Sequence, residues 1–466
     1  MIYKTEPLQH QKQAVERFIN EPYGALFCEM GTGKTKIQLD ILQNAKTPVA
    51  ALIVAPNGLH HNWARNEIPK HVTKADVYCW NGPPSSKKKK QELTNFYNKQ
   101  SYNKFFLINI EALRTKSGFD YALAFLVGSA ESERHMIVDE STCIKNPKAQ
   151  QTKAVMRLAK QAERRWVLNG TPITQGPLDL YSQCKFLDAA SIPERTYTTF
   201  KHAYAVEQTM TMGNRSFNKV VGYKNLDELT KNIESFSLRI EKSQCIDLPE
   251  KTFTPHVIEL TPEQERVYNS IKQESVALLE NNLVTTTMAL TRIIKLHQIL
   301  TGFVITDDDV TVNLKNNRIA ALQQIAETTK PLVVFCAYKH NVKQIKDALK
   351  DHSIVTYTGE DNTTQKNQAV EKFQNGDADI FVGTSAAAKG LTLTRASTMV
   401  YYSNTYSLEN RLQSQDRIHR IGQDNKCTYI DLVVPNSIDE TILKRLEQKK
   451  ELSNEVLDDL IKIIKQ

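Results

Sequence analysis

Short runs of aliphatic and β-branched residues alternate with longer amphipathic segments in two separate parts of the chain. In the first part these runs occupy residues 23–28, 49–55, 104–110, 135–138 and 165–168. In the second part they occupy residues 331–336, 353–357, 378–382, 398–402 and 428–434. Strands that alternate with helices form parallel sheets covered by helices on both faces. The pattern therefore predicts two α/β units, each built on its own parallel sheet.

The stretch between these units, from about residue 176 to about residue 329, has a mostly helical pattern with few strand-like runs. A helix is predicted to begin after Thr261, because this hydroxyl N-cap precedes a proline and Gln264. A second capping box at Ser437 predicts a C-terminal helix that packs back on the α/β units. The lysine run at residues 87–90 is interpreted as a solvated loop, with phosphate contact as the alternative.

The composition, 40% hydrophobic and 24% charged over 466 residues, is typical of a folded globular protein. The apolar runs are shorter than the roughly 20 residues that span a bilayer, and the N-terminus lacks the apolar core of a secretory signal. Seven scattered cysteines without a C-x-x-C pair disfavour a zinc site or a disulfide scaffold and suit a reducing cytosol. The net charge of +8 permits nucleic acid as a partner without requiring it.

The sharpest motif is Glu-Met-Gly-Thr-Gly-Lys-Thr at residues 29–35, between a predicted strand and a predicted helix. A tight glycine turn at a helix N-terminus directs backbone N–H groups at phosphate oxygens. The residues expected to hold the nucleotide are Gly31, Thr32, Gly33, Lys34 and Thr35. Lys34 would reach the β- and γ-phosphates, and the Thr35 hydroxyl would bind Mg²⁺. Cys28 stands where the strict pattern has its first glycine, and a glycine turn with an incidental lysine is the alternative.

Two adjacent carboxylates, Asp139 and Glu140, follow the apolar run at residues 135–138. Asp139 would hold Mg²⁺, directly or through water, and Glu140 would orient and deprotonate the attacking water. The alternative is an ordinary acidic pair at a strand end. A third strand end carries Thr171, which is expected to hydrogen-bond near the two carboxylates; the alternative there is a simple β-turn.

The second α/β unit has no glycine motif of this kind and ends in residues 413–423. Arg417 and Arg420 are three residues apart, so the pattern places them on one face of a helix. Two guanidinium groups in a unit without its own phosphate cradle suit arginine fingers that complete a site elsewhere. The alternative is an exposed basic helix that binds nothing or binds DNA phosphate.

Taken together, these motifs resemble the helicase-like ATPases of superfamily two, and within them the Swi/Snf family of DNA translocases. The matching segments are residues 8–11 with the adenine-reading Gln11, 29–35 (motif I), 53–56 with Asn62 and Trp63 (motif Ia), 139–140 (motif II), 168–172 (motif III), 239–242 and 248–251 (the inter-lobe linker), 384–385 and 389–393 with Gly390 (motif V), and 413–423 with Gln413 (motif VI). Motif II departs from the family in ending Asp-Glu-Ser-Thr rather than in histidine, and Tyr406 replaces a tryptophan. The compact chain resembles bacterial or viral members.

The resemblance implies an α/β fold of two RecA-like P-loop NTPase lobes with helical insertions between them. It divides the chain into lobe 1 (residues 1–175), a helical insertion and linker (176–245), a helical protrusion (246–329), lobe 2 (330–436) and a C-terminal helix (437–466). It also implies ATP and Mg²⁺ in the cleft between the lobes, with Lys34, Asp139, Glu140, Arg417 and Arg420 as the catalytic residues.

The expected partner is duplex DNA, contacted through its backbone without sequence preference, with Lys389 and the segment near Thr384 on the DNA-binding surface. The protein is expected to be monomeric and cytoplasmic, in a bacterium or a phage-infected cell, and a nuclear location is left open. One alternative is a strand-separating DNA or RNA helicase, or a fork-remodelling or annealing helicase. The other is a nucleic-acid-binding adaptor without hydrolysis, against which the five intact catalytic residues argue.

Overall fold

The computed structural model describes residues 1–99, 101–212, 215–245, 248–280, 286–388 and 390–462. The strands are β1 (Tyr23–Cys28), β2 (Val49–Ala55), β3 (Asp76–Cys79), β4 (Asn103–Asn109), β5 (Glu133–Asp139), β6 (Arg164–Leu168), β7 (Ala205–Met212), β8 (Arg215–Tyr223), β9 (Ser237–Ile240), β10 (Lys251–Val257), β11 (Phe303–Ile305), β12 (Thr311–Asn313), β13 (Leu332–Phe335), β14 (Ile354–Tyr357), β15 (Ile380–Gly383), β16 (Thr398–Tyr401) and β17 (Cys427–Val433). Each of the ten strands predicted from the sequence is present, with bounds that differ by no more than two residues.

The α-helices alternate with these strands. They are α1 (Gln9–Phe18), α2 (Lys34–Gln43), α3 (Leu59–Asn62), α4 (Ile68–His71), α5 (Lys87–Asn98), α6 (Lys116–Gly128), α7 (Gln150–Ala159), α8 (Leu180–Leu187), α9 (Tyr197–Tyr204), α10 (Leu226–Glu234), α11 (Lys242–Cys245), α12 (Pro262–Glu280), α13 (Thr286–Leu300), α14 (Asn317–Thr328), α15 (Lys339–Ala348), α16 (Thr363–Asn375), α17 (Leu408–Gln415) and α18 (Ile438–Lys462). Within the described residues, none of these helices has both the length and the apolar character needed to cross a bilayer.

The chain divides into two units. The first comprises Met1–Gln208, Lys219–Asp247 and Lys450–Gln466, and the second comprises Thr209–Asn218 and Leu248–Lys449. The first unit contains a seven-stranded sheet in the order β3-β4-β2-β5-β6-β1-β9, in which the paired strands are parallel. The second contains a six-stranded parallel sheet in the order β10-β17-β16-β13-β15-β14. The predicted α/β class is therefore confirmed.

The central strands β2 and β13 are buried on both faces of their sheets, as their continuous apolar runs predict. Along β2, Leu52 and Val54 belong to one core while Ala51 and Ile53 belong to another on the opposite face. Along β13, Val333 and Leu332 are divided in the same way between the two cores of the second unit. Successive strand residues point to opposite faces, so a strand that is covered on both faces is apolar at consecutive positions.

The prediction that residues 176–245 and 246–329 are helical is wrong at four places. The strands β7 and β8 form one two-stranded sheet, and β11 and β12 form another. Strand β9 pairs with β1 at one edge of the first sheet, and β10 pairs with β17 at one edge of the second. Four β10 residues in a row are exposed, so it lacks the apolar run of an interior strand. The four residues of β9 include only two aliphatic side chains and were too few to stand out.

Two smaller expectations are also wrong. The lysine run at residues 87–90 begins α5 rather than forming a loop, because the Ser86 side chain accepts a hydrogen bond from the backbone N–H of Lys89 and caps the helix. Helix α17 ends at Gln415, so Arg417 and Arg420 lie in the turn that follows it and not on a helical face. The first capping box is confirmed: the Thr261 and Gln264 side chains each accept the other's backbone N–H at the start of α12. At the start of α18 the partners differ from the prediction, because the Ser437 hydroxyl accepts from the N–H of Asp439 and Glu440 accepts from the N–H of Asn436.

Candidate nucleotide-binding site

The glycine loop lies between β1 and α2, at the carboxyl edge of the first sheet. Gly31 and Gly33 have φ of +91° and +87°, the left-handed region that side chains with a Cβ rarely adopt. A Cβ at Gly33 would lie 2.2 Å from Nε2 of Gln11. Both glycines are therefore required by backbone conformation, and the one at Gly33 also by space. Together they bring the free N–H groups of α2 to the loop, which is the arrangement that binds anions.

Cys28, at the place of the first glycine in the strict pattern, is the last residue of β1 and is fully buried. Burial raises the pKa of its thiol to about 12, so the thiol is protonated and unreactive at neutral pH. The cysteine that replaces the first glycine of the strict pattern therefore lies inside β1, and the glycine turn after it is unaffected.

Gln11 braces the glycine loop from α1. Its Nε2 donates to the carbonyl oxygen of Thr32 at 3.0 Å, and its Oε1 accepts from the backbone N–H of Leu8 at 3.0 Å. A ring nitrogen of His10 lies 2.8 Å from the same Thr32 oxygen. The contact of Gln11 with adenine stays a prediction, while its contact with the loop is a feature of the structure.

Strand β9 braces the loop from the other side. The N–H of Glu29 donates to the carbonyl of Ile240 at 2.9 Å, and the N–H of Lys242 donates to Oε2 of Glu29 at 2.9 Å. The carbonyl of Glu29 in turn accepts from the Thr32 hydroxyl at 2.8 Å. Residues 239–242, interpreted from sequence as part of a linker, thus begin within the edge strand that holds the phosphate cradle in place.

Lys34 and the two carboxylates meet at this edge of the sheet. The Lys34 ammonium lies 3.8 Å from Oε1 of Glu140, and both side chains are about nine-tenths buried. Asp139, the last residue of β5, accepts from the indole Nε1 of Trp63 at 2.8 Å and from the N–H of Glu140 at 2.9 Å. Thr35 is half-buried in the first turn of α2. The structure therefore brings the predicted cation, with the hydroxyl next to it in the chain, together with the acids of a second, distant segment.

The loop N–H groups, Lys34, Thr35 and Asp139 fit a nucleoside triphosphate with a magnesium ion. The buried ammonium and the loop N–H groups complement phosphate charge. A carboxylate such as that of Asp139 has two oxygens with two lone pairs each, so it can bind a cation as well as accept hydrogen bonds. Oxygen ligands of this kind, a carboxylate and a hydroxyl, are those that Mg²⁺ prefers.

Glu140 has a backbone conformation that non-glycine residues seldom adopt, with φ of +49° and ψ of +58°. A residue held in this region costs about 1–3 kcal/mol and persists only where its surroundings demand it. Its carbonyl accepts from the N–H of Cys143 at 3.0 Å, which starts the 3₁₀ turn Ser141–Ile144. The chain thus turns sharply at the end of β5.

A chain of hydrogen bonds connects the end of β5 to the end of β6. It runs through the side chain of Asn169 and not through that of Thr171. Asn169 Nδ2 donates to the Ser141 hydroxyl at 3.2 Å, and that hydroxyl donates to Gln183 on α8. Gln183 then donates to the carbonyl of Pro172 at 2.9 Å. Thr171 contributes its backbone N–H, which donates to Oδ1 of Asn169 at 2.8 Å. The residue beside Glu140 is therefore connected to the third strand end by a buried polar chain.

In the second unit, Arg417 and Arg420 lie together although they are not helical. Each donates from Nη1 to the carbonyl oxygen of Leu391, at 2.9 and 3.0 Å. Arg417 is buried and also donates from Nε to the carbonyl of Gln413 at 2.7 Å. Gln413 is buried as well, and its side chain donates to Glu409 at 3.2 Å.

Three further residues of the second unit were predicted to contact nucleotide or DNA, namely Gly390, Thr384 and Lys389. Gly390 is exposed with φ of +74°, and a Cβ there would meet nothing within 4 Å. Thr384 is 6% exposed, and its carbonyl accepts from the N–H of Ala387. Lys389 lies outside the described residues. The expected DNA contacts of this segment stay predictions.

Trp63 is the site residue to which the sequence assigned no role. It is 1% exposed and begins the π-helical turn Trp63–Glu67 that follows α3. Its indole N–H donates to the carboxylate expected to hold Mg²⁺. The sequence contained one indication of this residue, because Asn62 and Trp63 belong to the segment that resembles motif Ia. That resemblance did not predict a hydrogen-bond partner for the indole.

Comparison with known proteins supports the family resemblance. The SNF2-related domain family matches residues 10–304, more than half of the chain, and the helicase conserved C-terminal domain matches residues 317–422. The uncharacterized ATP-dependent helicase MG018 of Mycoplasma genitalium is 24% identical, over 96% of this chain and 41% of its own length. The chromodomain-helicase-DNA-binding protein 1-like of Danio rerio is 24% identical, over 92% of this chain and 41% of its own.

This chain thus spans about two fifths of the length of either relative. Among solved structures, a Sulfolobus solfataricus SWI2/SNF2 ATPase core in complex with dsDNA is 22% identical, covers 98% of this chain and 94% of its own, and has a TM-score of 0.42. The chain belongs to the SNF2-related family of helicase-like ATPases, with two RecA-like units.

Proposed function

We propose that this protein is an ATP-dependent motor that moves along double-stranded DNA. The observation that carries the proposal is the pairing of Lys34 with Glu140 beside Asp139, at the mouth of a glycine loop that is braced from both sides. A buried ammonium, a phosphate cradle and two carboxylates at one sheet edge are the parts that phosphoryl transfer requires. Family membership supports the same chemistry.

In this proposal each residue of the first unit has a defined task. The N–H groups at the start of α2 and the Lys34 ammonium bind the phosphates, and the carboxylate of Glu140 takes a proton from water at one of its oxygens. Asp139 and the Thr35 hydroxyl would hold Mg²⁺, with Trp63 fixing the orientation of the Asp139 carboxylate. When bound, ATP supplies the phosphoanhydride bond that is broken and Mg²⁺ supplies charge that screens its phosphates.

Arg417 and Arg420 are proposed as the arginine fingers for this reaction. Their support is local: both guanidinium groups are anchored on the Leu391 carbonyl, so their positions are correlated. A guanidinium also carries the fork of N–H donors that matches a phosphate. A cation that meets the transferring phosphoryl group late in the reaction stabilises the transition state more than the ground state.

Duplex DNA is the proposed track. A motor that moves over any sequence must hold the phosphate backbone rather than the base edges. The net charge of +8 suits a polyanion, and the name of the Danio rerio relative combines helicase with DNA binding. Binding is accordingly expected to weaken steeply as the salt concentration rises.

The decisive experiment measures ATP turnover while duplex DNA, single-stranded DNA and RNA are titrated in parallel. Duplex DNA is expected to stimulate turnover most, and Lys34→Ala is expected to abolish stimulation by each of the three. Absence of turnover with every nucleic acid would favour the adaptor without hydrolysis. Stimulation by RNA that equals or exceeds stimulation by duplex DNA would refute the proposed track.

A strand-separating helicase is the second candidate, because the Mycoplasma genitalium relative is named an ATP-dependent helicase. The two candidates share every ATPase residue and differ in the fate of the duplex. A strand-displacement assay distinguishes them: the proposed translocase displaces a bound protein or a third strand while leaving the duplex paired, and a helicase releases single strands.

A further inference from the structure

Two histidines and a cysteine that the proposed ATPase reaction does not use converge in the first unit. His60 and His61 lie on α3, and Cys79 is the last residue of β3, at the edge of the sheet. One ligand atom from each of the three residues lies within 4.8 Å of the others. The sequence did not indicate this cluster, because the cysteines have no C-x-x-C spacing and the cluster forms only when α3 packs beside β3.

The distances suit a single tetrahedral ion. Sγ of Cys79 lies 3.1 Å from Nδ1 of His61, and the two imidazole rings have centroids 4.0 Å apart. Bonds of about 2.0 Å to imidazole nitrogen and 2.3 Å to thiolate at a tetrahedral angle place those ligand atoms about 3.5 Å apart. A shift of a few tenths of an ångström therefore converts the contact between Cys79 and His61 into a pair of metal bonds.

The third residue supplies an independent observation. His60 is 1% exposed, and its Nδ1 is buried without a hydrogen-bond partner among the described residues. The ring also lies beside backbone groups of Pro56 and Trp80. Buried polar atoms without partners are few in native proteins, and each calls for a ligand or another explanation.

The protonation states favour nitrogen ligation and define what must be displaced. Burial lowers the pKa of His60 to about 4 and also lowers the pKa of His61, so both rings are neutral near pH 7 and able to bind a metal. Burial raises the pKa of the Cys79 thiol to about 11. An ion must therefore displace the thiol proton, and its affinity is expected to increase with pH.

We propose that His60, His61 and Cys79 form a binding site for one zinc-class transition-metal ion. Two imidazoles and a thiolate are a ligand set for borderline and soft ions, and not for Mg²⁺ or Ca²⁺. His61 and Cys79 are half-buried, which leaves a path for entry and a fourth position for water. The site is separate from the predicted magnesium ligands Thr35 and Asp139.

The position of the site gives it a structural consequence. Helix α3 ends at Asn62 and continues directly into Trp63, whose indole holds Asp139. An ion that ties α3 to β3 would restrict the segment that carries this indole. The site would thus link metal content to the geometry of the carboxylate at the end of β5.

Cobalt titration tests the proposal, because tetrahedral Co²⁺ with a thiolate ligand has visible d–d bands and a sulfur-to-metal charge-transfer band. The purified full chain is titrated with Co²⁺ under nitrogen with a thiol-free reductant, and Zn²⁺ is then added. We expect one equivalent of tetrahedral Co²⁺ with the charge-transfer band, and loss of both signals when Zn²⁺ displaces it. A wild-type protein without these bands would overturn the proposal whatever the variants do.

Cys79→Ser and Cys143→Ser form a matched pair, since both cysteines are half-buried in the first unit. Cys79→Ser is expected to lose the charge-transfer band, and Cys143→Ser is expected to keep it. His61→Ala is expected to weaken Co²⁺ binding by more than the roughly 10–100-fold effect of altering an outer-shell residue. A charge-transfer band that survives in Cys79→Ser would place the thiolate elsewhere and refute the site.

Thermal unfolding provides a readout independent of the spectra. Zn²⁺ binds the folded site in preference to the unfolded chain, so it is expected to raise the unfolding temperature of the wild-type protein and of Cys143→Ser. The same addition is expected to leave the unfolding temperature of Cys79→Ser unchanged. Equal shifts in all three proteins would contradict the assignment.

Discussion

At the scale of single residues, the candidate site is a set of buried polar groups whose partners come from distant parts of the chain. Lys34 is near Glu140, Asp139 is held by Trp63, and Glu140 adopts a left-handed backbone conformation. Removing one member of a buried pair leaves the other charge uncompensated, which is more damaging than the loss of an exposed ion pair. Substitutions that keep the shape of these side chains are therefore the ones expected to separate ATP turnover from nucleotide binding.

Replacing Glu140 with glutamine is expected to stop hydrolysis while leaving ATP bound. The side chain keeps its shape, but the amide cannot take a proton from water, and the loss of a general base lowers turnover by about 10²–10⁴-fold. Phosphate release and equilibrium nucleotide binding measure the two effects separately. Glu131→Gln, an exposed glutamate of the same unit, is the control. Unchanged turnover in E140Q would show that another group accepts the proton.

Replacing Trp63 with phenylalanine tests the hydrogen bond between the indole and Asp139. The ring still fills the core, but a buried carboxylate oxygen loses its donor, at a cost of about 1–3 kcal/mol. We expect turnover to require a higher Mg²⁺ concentration, measured by titrating Mg²⁺ at saturating ATP.

Trp166→Phe is the matched control for Trp63→Phe. Trp166 is also fully buried, and its indole donates to His135 rather than to the acidic pair. It is expected to lower thermal stability without changing the Mg²⁺ requirement. Equal Mg²⁺ curves for the two variants would mean that Trp63 acts only through packing.

At the scale of elements, three helices of the second unit are joined by one buried cation. Arg318 on α14 is fully buried and donates to the carbonyls of Leu300, Tyr402 and Leu432, and to the carboxylate of Asp439 in α18. The guanidinium thus reaches acceptors in four separate segments of the chain. The start of α18 is fixed to the second sheet by these contacts.

His297 on α13 makes this junction sensitive to pH. Burial, with a smaller contribution from the nearby Arg318, lowers its pKa to about 4, although Asp439 opposes the shift. In the unfolded chain His297 binds a proton near its ordinary pKa of 6.5, whereas in the folded chain it binds one only near pH 4. Stability is therefore expected to fall as the pH drops through this window, by up to about 1.4 kcal/mol per pH unit from this group.

Thermal or urea unfolding of His297→Gln between pH 7 and pH 4 checks this expectation. Glutamine does not titrate in that range, so the variant is expected to lose less stability than the wild-type protein as the pH falls. His352→Gln, a histidine of the same unit outside this junction, should follow the wild-type curve. Parallel curves for H297Q and the wild type would show that His297 does not contribute.

At the scale of the whole molecule, the proposed reaction requires a contribution from the second unit to a nucleotide held by the first. Arg420→Ala is expected to remove nearly all turnover while sparing ATP binding, since arginine fingers contribute about 10³–10⁵-fold in rate. Steady-state hydrolysis and nucleotide binding are measured with and without duplex DNA. Arg445→Ala, an exposed arginine of the same unit, is the control. A variant that retains more than about a tenth of the turnover would refute this role, because that loss is far below the expected range.

The sequence by itself determined the interior strands, the glycine loop and the acidic pair. These features depend on neighbours along the chain: an apolar run long enough to be buried on both faces, a turn that only glycine adopts, and carboxylates at a strand end. Continuous runs such as β2 and local motifs such as the Lys34 loop were therefore predictable, with bounds accurate to two residues.

Only the tertiary structure decided which distant residues meet. Strands β9 and β10 lie at the edges of the sheets that the described residues form, and their apolar pattern is weak. The contact of Trp63 with Asp139, the link from Ser141 to Asn169, and the convergence of His60, His61 and Cys79 each join separate segments. Such contacts follow from how helices pack on a sheet, and the local pattern of residues carries no record of that packing.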